Sequence, residues 1–205
     1  DVENNLHLPV LGILPLIKGK ARHDIANLVV GDRDKSFSES VRSIRTGVVL
    51  SGLDNPHKII VVTSSVPGEG KSSVSSNLAF SLGQMEKVLL IDADMRRPTV
   101  GKNYDIPVGS VGLANLIAGT ATFEEVLHKI DDIDVISAGI VPPNPLELLS
   151  SKRFTKIIDK LVTVYDRIVI DSPPVQAVSD ALILATQARA VIYVVKSDKT
   201  TIPVV

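Results

Sequence analysis

Ser65-Val66-Pro67-Gly68-Glu69-Gly70-Lys71-Ser72 follows a run of apolar β-formers, Ile59-Ile60-Val61-Val62. It precedes Ser73-Val74-Ser75-Ser76-Asn77-Leu78-Ala79-Phe80, a segment suited to a helix. A strand, a glycine-rich turn and a helix opening on Gly-Lys-Ser form a P-loop arrangement. Gly68 and Gly70 let the backbone curl so that successive N–H groups point inward at phosphate oxygens. The helix N-terminus adds its positive end, Lys71 reaches the β- and γ-phosphates, and the Ser72 hydroxyl can ligate Mg²⁺. The nucleotide-binding set is thus Pro67, Gly68, Glu69, Gly70, Lys71, Ser72 and Ser73. Ser65 stands where the consensus has glycine, and a small residue can still turn there. The alternative is an ordinary Pro-Gly turn followed by a lysine; the strand before and the helix after weigh against it. The expected ligand is a nucleoside triphosphate.

Two further stretches end an apolar strand on carboxylates. Lys87-Val88-Leu89-Leu90-Ile91 runs into Asp92-Ala93-Asp94-Met95-Arg96-Arg97-Pro98, and Arg167-Ile168-Val169-Ile170 runs into Asp171-Ser172-Pro173-Pro174. Such strands deliver their acids to the carboxyl edge of a parallel sheet, where open α/β folds bind ligands. A lone aspartate after a strand is usually a cap or turn residue. Two such ends beside a P-loop point to metal and proton handling instead. The reading assigns Ser72, Asp94 and Asp171 to Mg²⁺ and leaves the base open between Asp92 and Asp94. Arg96 either stabilises developing charge or docks a carboxylate. Residues after the last strand, around Lys196 to Thr200, are candidates for the adenine pocket.

Before the P-loop, residues 1–20 read as an extended lead-in broken by Pro9, Gly12 and Pro15, and residues 21–34 as a polar loop. A helix starts near Ser36, where Ser36-Phe37-Ser38-Glu39 fits a capping box and Val41, Ile44 and Val48 share one stripe. Its other side carries Glu39, Arg42 and Arg45. Spacing alone favours a cap and an i,i+3 pair over a subunit contact. After the P-loop helix the sequence predicts two short helices within 111–129, a strand at 134–139 and a helix from Leu146 towards Tyr165. A helix around 179–184 and a strand at 190–195 close the series. Strands alternating with helices give an α/β, doubly wound, mostly parallel sheet. The expected organisation is a single domain over 1–205, with a lead-in and loop at 1–34 and a nucleotide-binding core at 35–205.

The 205 residues suffice for a sizeable core, and 44% are hydrophobic. Lys+Arg 22 against Asp+Glu 23 leaves no basic excess, which argues against a nucleic-acid partner. Cysteine is absent, so disulfides, Fe–S clusters and thiol chemistry are excluded. No apolar run approaches the roughly 20 residues of a transmembrane helix. The chain begins at Asp1 and stops at Val205 just after a strand. The expectation is a piece excised from a longer, membrane-anchored protein.

At these residues the chain resembles the cytoplasmic kinase domain of bacterial protein-tyrosine kinases, the Wzc-like polysaccharide co-polymerase group. The resemblance rests on the P-loop, on Leu89-Leu90-Ile91-Asp92-Ala93-Asp94-Met95-Arg96 as a Walker A′ segment, and on Ile168-Val169-Ile170-Asp171-Ser172-Pro173-Pro174 as Walker B. The Glu39, Arg42, Arg45 helix and Pro142-Pro143-Asn144-Pro145-Leu146-Glu147-Leu148-Leu149 also match. It implies a P-loop NTPase fold of the MinD/ParA-like (SIMIBI) type. The activity implied is ATP- and Mg²⁺-dependent autophosphorylation of a tyrosine-rich C-terminal tail, one subunit serving its neighbour. It also implies a head-to-tail homo-oligomeric ring held by Glu39, Arg42 and Arg45, which reverses the balance drawn from spacing. Partners would be the polysaccharide synthesis and export machinery at the cytoplasmic face of the inner membrane. One departure stands out: the three tyrosines, Tyr104, Tyr165 and Tyr193, form no cluster. Tyr165 and Tyr193 read as packing residues. The rival reading is a MinD/ParA-like ATPase switch that controls dimerisation. That group carries a second lysine five residues before the invariant one, where this chain has Val66.

Overall fold

The described residues form six strands, most of them from apolar, β-branched runs: β1 (Ile59–Ser64), β2 (Val88–Asp92), β3 (Leu127–Ile130), β4 (Ile133–Ile136), β5 (Arg167–Asp171) and β6 (Ala190–Val194). In the computed structural model, which describes residues 3, 5 and 7–205, they form one sheet in the order β3-β4-β2-β5-β1-β6. The neighbours from β4 to β6 all run parallel, and only β3 pairs antiparallel, with β4. Around the sheet lie α1 (Arg22–Ala26), α2 (Lys35–Ser51), α3 (Lys71–Gly83), α4 (Val100–Asn103), α5 (Leu113–Ala118), α6 (Phe123–Val126), α7 (Pro145–Leu149), α8 (Lys152–Leu161) and α9 (Asp180–Gln187).

Every residue of β1, β2 and β5 is buried, because helices cover both faces. Alternation then divides the strands between two cores. Ile60, Val62, Val88, Leu90 and Val169 face Val41, Ile44 and Leu78 of α2 and α3. Val61, Leu89, Ile91, Ile168 and Ile170 face Ile117, Phe154 and Leu184 of α5, α8 and α9. Each fully buried aliphatic side chain contributes about 1.5–3 kcal/mol. The same alternation carries Asp92 and Asp171 onto the α3 side, since each lies two residues beyond a side chain of that core.

Several local expectations change. Residues 21–34 are not a plain loop but contain α1 and a 3₁₀ turn at Val30–Asp32. They are ordered because Ala26, Leu28 and Val29 are buried and because the buried Asn77 of α3 ties them down. Its Oδ1 accepts from Val29 N at 3.0 Å, and its Nδ2 donates to Ile25 O at 2.7 Å. The cap of α2 is Asp34, whose carboxylate accepts from Phe37 N, rather than Ser36. In the lead-in, residues 7–20 pair with no strand. Leu11, Leu14 and Ile17 pack on the core as an arm, while residues 1, 2, 4 and 6 lie outside the described residues. The helix expected from Leu146 to Tyr165 is two, because Ser151 caps Phe154 N and restarts it as α8. The segment 111–129 holds the two short helices and then turns into β3, an edge strand too short to announce itself by alternation.

Candidate functional site

The order β2-β5-β1 sets three strand ends side by side at the carboxyl edge. Asp92 and Asp171 are register partners, and Val62 of β1 partners Asp171 on its other side. The glycine-rich loop leaves β1 at that edge. Gly68 and Gly70 adopt φ of +88° and +100°, a region costly for a side chain, and no atom lies within 4 Å of where either Cβ would stand. The loop is therefore an open cradle on that side, and Gly70 hands the chain to α3.

Lys71 opens α3 and lies buried among acids. Its Nζ is 2.9 Å from Asp94 Oδ2 and 3.6 Å from Asp171 Oδ1. Burial works against the lysine's charge, but Asp171 and Asp94 together outweigh it and raise its pKa. Asp171 is wholly buried. Its Oδ1 accepts from Ser75 Oγ at 3.1 Å, whereas its Oδ2 has no hydrogen-bond partner among the described residues. Burial raises the Asp171 pKa, opposed most strongly by the charge of Lys71. Ser72 reaches across to the loop after β2, where Thr99 Oγ1 donates to its Oγ at 2.9 Å.

Asp92 is equally buried yet differently used. Its Oδ1 accepts from Asp94 N at 3.1 Å, and its Oδ2 from Thr99 N at 3.0 Å and Val100 N at 2.9 Å. It shapes the loop that presents Asp94. Burial, followed by the charge of Asp171, pushes its carboxyl up to about 8. Asp94 accepts from Arg97 N at 3.0 Å through the oxygen that does not face Lys71. Arg96 docks on a carboxylate: Nε and a terminal nitrogen grip the two oxygens of Asp180, at the start of α9, at 2.9 and 3.1 Å.

The edge thus gathers Lys71, Ser72, Asp92, Asp94 and Asp171, with Arg96 one step outside. Sequence reasoning passed over Ser75, Thr99 and Asp180. Ser75 was the one in reach, since it follows Lys71 by four residues and shares its helix face. The Glu69 side chain turns away from the cradle. It accepts from Val66 N at 2.9 Å and Lys196 N at 3.0 Å, and from the Thr200 hydroxyl.

The α2 residues are engaged within the chain. Arg42 bridges Glu39 and, at 2.9 Å, Asp32; Arg45 donates to Ser81 O, near the end of α3, at 3.0 Å. Glu39 keeps 71% of its side-chain surface exposed, so its carboxylate remains open to a neighbour. Tyr165 is buried and donates to Asp134 Oδ2 at 2.6 Å, Tyr104 packs edge-to-face on Phe80, and Tyr193 OH bonds Ser65 Oγ at 3.1 Å. All three tyrosines are packing residues. A surface depression of about 390 Å³ lies at the opposite edge of the sheet between Leu50, Asp54, His57 and Arg189 and touches none of these groups.

Residues 57–202 match the family described as an AAA domain. The chain is 38% identical over 184 residues to the putative tyrosine-protein kinase CapB of Staphylococcus aureus, covering 88% of this chain and 80% of that protein. It is also 38% identical over 214 residues to the putative tyrosine-protein kinase EpsB of Ralstonia nicotianae, covering 98% of this chain but 28% of that longer protein. The solved kinase domain of the Escherichia coli tyrosine kinase ETK superposes with a TM-score of 0.90 at 28% identity, covering the whole chain and 84% of that domain. The Pyrococcus horikoshii septum-site protein MinD, solved with Mg-ADP, is more distant, with a TM-score of 0.57 at 25% identity over 67% of this chain and 57% of that one. It shares the P-loop fold.

Proposed function

This chain belongs to the bacterial tyrosine-protein kinases, and from that premise we propose that it transfers the γ-phosphate of ATP to tyrosine hydroxyls with the help of Mg²⁺. The observation that carries the reading is the convergence of Lys71, Asp94 and Asp171 beside an open cradle of positive-φ glycines. The residues fit a metal as well. Asp171 Oδ2 is a buried acceptor with no donor among the described residues, and a hard cation prefers such oxygens. Asp171, Ser72 and Asp94 would hold Mg²⁺. When bound, the ion neutralises charge on the phosphates.

The chain's own residues do the rest. Backbone N–H groups of Gly68, Gly70 and Lys71 bind phosphate oxygens, and the Lys71 ammonium exchanges its carboxylate partners for phosphate. A phenol near pKa ~10 is a weak nucleophile at neutral pH, so a carboxylate in reach assists its attack. The phenol oxygen bonds to the γ-phosphorus as the bond to the β-phosphate oxygen breaks, and the phenolic proton passes to a carboxylate. Asp94 is favoured as that base, because both Asp92 oxygens are held by backbone N–H groups, whereas Asp94 Oδ2 is held by Lys71, which leaves it for phosphate. Arg96 acts through Asp180 and not on the phosphate.

The three tyrosines are all packed within the fold, so the acceptors are sought outside it, on a C-terminal tail of the neighbouring subunit. Glu39, Arg42 and Arg45 would hold a head-to-tail ring, with Arg42 leaving Asp32 for a partner's carboxylate. The system served is polysaccharide synthesis and export at the cytoplasmic face of the inner membrane. No helix among the described residues is long and apolar enough to cross a membrane. The whole chain from 1 to 205 acts as one kinase domain.

Mass spectrometry of the full-length protein after incubation with MgATP tests the activity. Phosphate is expected on tyrosine in the parent, and a fall on the order of 10²–10³-fold in Lys71→Met, as for loss of one preorganised charge partner. Parental transfer by that variant would overturn the assignment. Light scattering on Arg42→Ala with Arg45→Ala tests the ring. Loss of assembly with unchanged nucleotide affinity is expected, and nucleotide-dependent dimers would favour the MinD-like switch.

A further inference from the structure

A carboxylate inside a phosphate-binding loop is a liability, since its charge repels the ligand the loop exists to hold. Glu69 sits two residues before Lys71 and is 8% exposed, and no lysine or arginine pairs with it among the described residues. Its contacts show what it does instead. One oxygen takes the N–H of Val66, across the loop's own turn. The other takes the Lys196 N–H and the Thr200 hydroxyl, from the segment that follows β6. Both oxygens are occupied, one by each side of the joint.

Two further ties run alongside. Tyr193 of β6 donates its hydroxyl to Ser65, the first residue of the loop. Gln176, whose own N–H bonds Ser65 O at 3.2 Å, donates its side chain to Val204 O at 2.5 Å. Residues 196–204 contain no strand that could fasten them to the sheet, only a short 3₁₀ turn at Ile202–Val204. Their position therefore depends on side-chain ties to the loop. Of these, only Glu69 takes two donors from the segment.

We propose that Glu69 is a positioning residue that fastens the segment 196–204 to the P-loop, so that the loop which grips the phosphates also sets the wall beside the nucleoside. Glu69 touches no reacting atom. It acts through Lys196 and Thr200. The role of the wall rests on the nucleotide-binding reading, but the fastening itself does not.

The experiment separates the two. Hydrogen exchange is measured on nucleotide-free protein, comparing the parent with Glu69→Ala and Thr200→Val. Glu69→Ala should speed exchange across 196–204 by about tenfold or more, as expected when a charge-assisted pair of hydrogen bonds is lost. Thr200→Val, which removes one tie and leaves the loop untouched, should do so by less. Exchange that is unchanged in both variants overturns the fastening, whatever the protein binds. Titrations with ATP and with inorganic tripolyphosphate then test the wall. In Glu69→Ala, ATP should weaken about tenfold while tripolyphosphate binds as well or better, because a repelling charge has gone. Equal weakening of both ligands would make Glu69 a part of the phosphate cradle and overturn the proposal. A parent that binds neither ligand would overturn the kinase reading and the wall with it, leaving the fastening to stand on exchange.

Discussion

The ends of β2 and β5 look alike in sequence and lie opposite each other in register, yet they do different work. Asp92 closes β2 with three backbone N–H groups on its two oxygens. Asp171 closes β5 with one oxygen shared between Ser75 and Lys71 and the other without a donor among the described residues. One carboxylate is spent on building a loop; the other keeps an oxygen that no donor among the described residues claims. An acid at a strand end is therefore not a role in itself. The number of backbone donors that fold over it decides whether any oxygen remains for chemistry.

The sharpest way to break this contrast is Asp171→Asn. Turnover should fall on the order of 10²–10³-fold, because the variant loses a ligand charge facing the phosphates. Stability should stay within about 1 kcal/mol, since a buried carboxylate whose pKa is raised by burial loses little on neutralisation. Kinetics and a thermal melt on the same preparation read both. Asp92→Asn should reverse the weighting. An amide N–H₂ must face at least one of the three backbone donors, costing about 1–3 kcal/mol in the melt. Its turnover should drop less than that of the Asp171 variant. Equal turnover losses and unchanged melts in both would erase the distinction. The smallest effect belongs to Ser75→Ala, which removes one donor from Asp171 and should cost about 0.5–1.5 kcal/mol, shared between stability and turnover.

Much of the site was legible because its signals are local. The Gly68-Glu69-Gly70-Lys71-Ser72 run needs positive φ at two glycines, and both adopt it. The apolar strands ending on Asp92 and Asp171 needed only the period-2 rule. What stayed hidden depends on contacts across the chain. Nothing near Asp92 in sequence tells that Thr99 and Val100 will fold back onto it. Nothing near Glu69 names Lys196 and Thr200. Residues 21–34 read as polar loop because their helix is five residues long and owes its order to Asn77, some fifty positions on. Asp34, and not Ser36, caps α2: both residues fit the cap rule, and the helix starts two residues earlier than a Ser36 cap implies.

The placement of β5 between β1 and β2 has a consequence for how the molecule assembles. β1 must wait for a partner about a hundred residues downstream, with Thr63 bonding to Pro173 across 110 positions. Closing a loop of that length costs entropy before any contact rewards it, and folds dominated by such pairings form slowly. The β3–β4 hairpin, by contrast, closes over two residues and can form early. The strand that completes the acidic edge thus arrives late. A nascent chain released before residue 171 would carry a P-loop and no partner for Lys71 on the β5 side. The edge that brings Lys71 against Asp171 is completed in one step, when β5 slots between its neighbours, and not gradually as the chain grows.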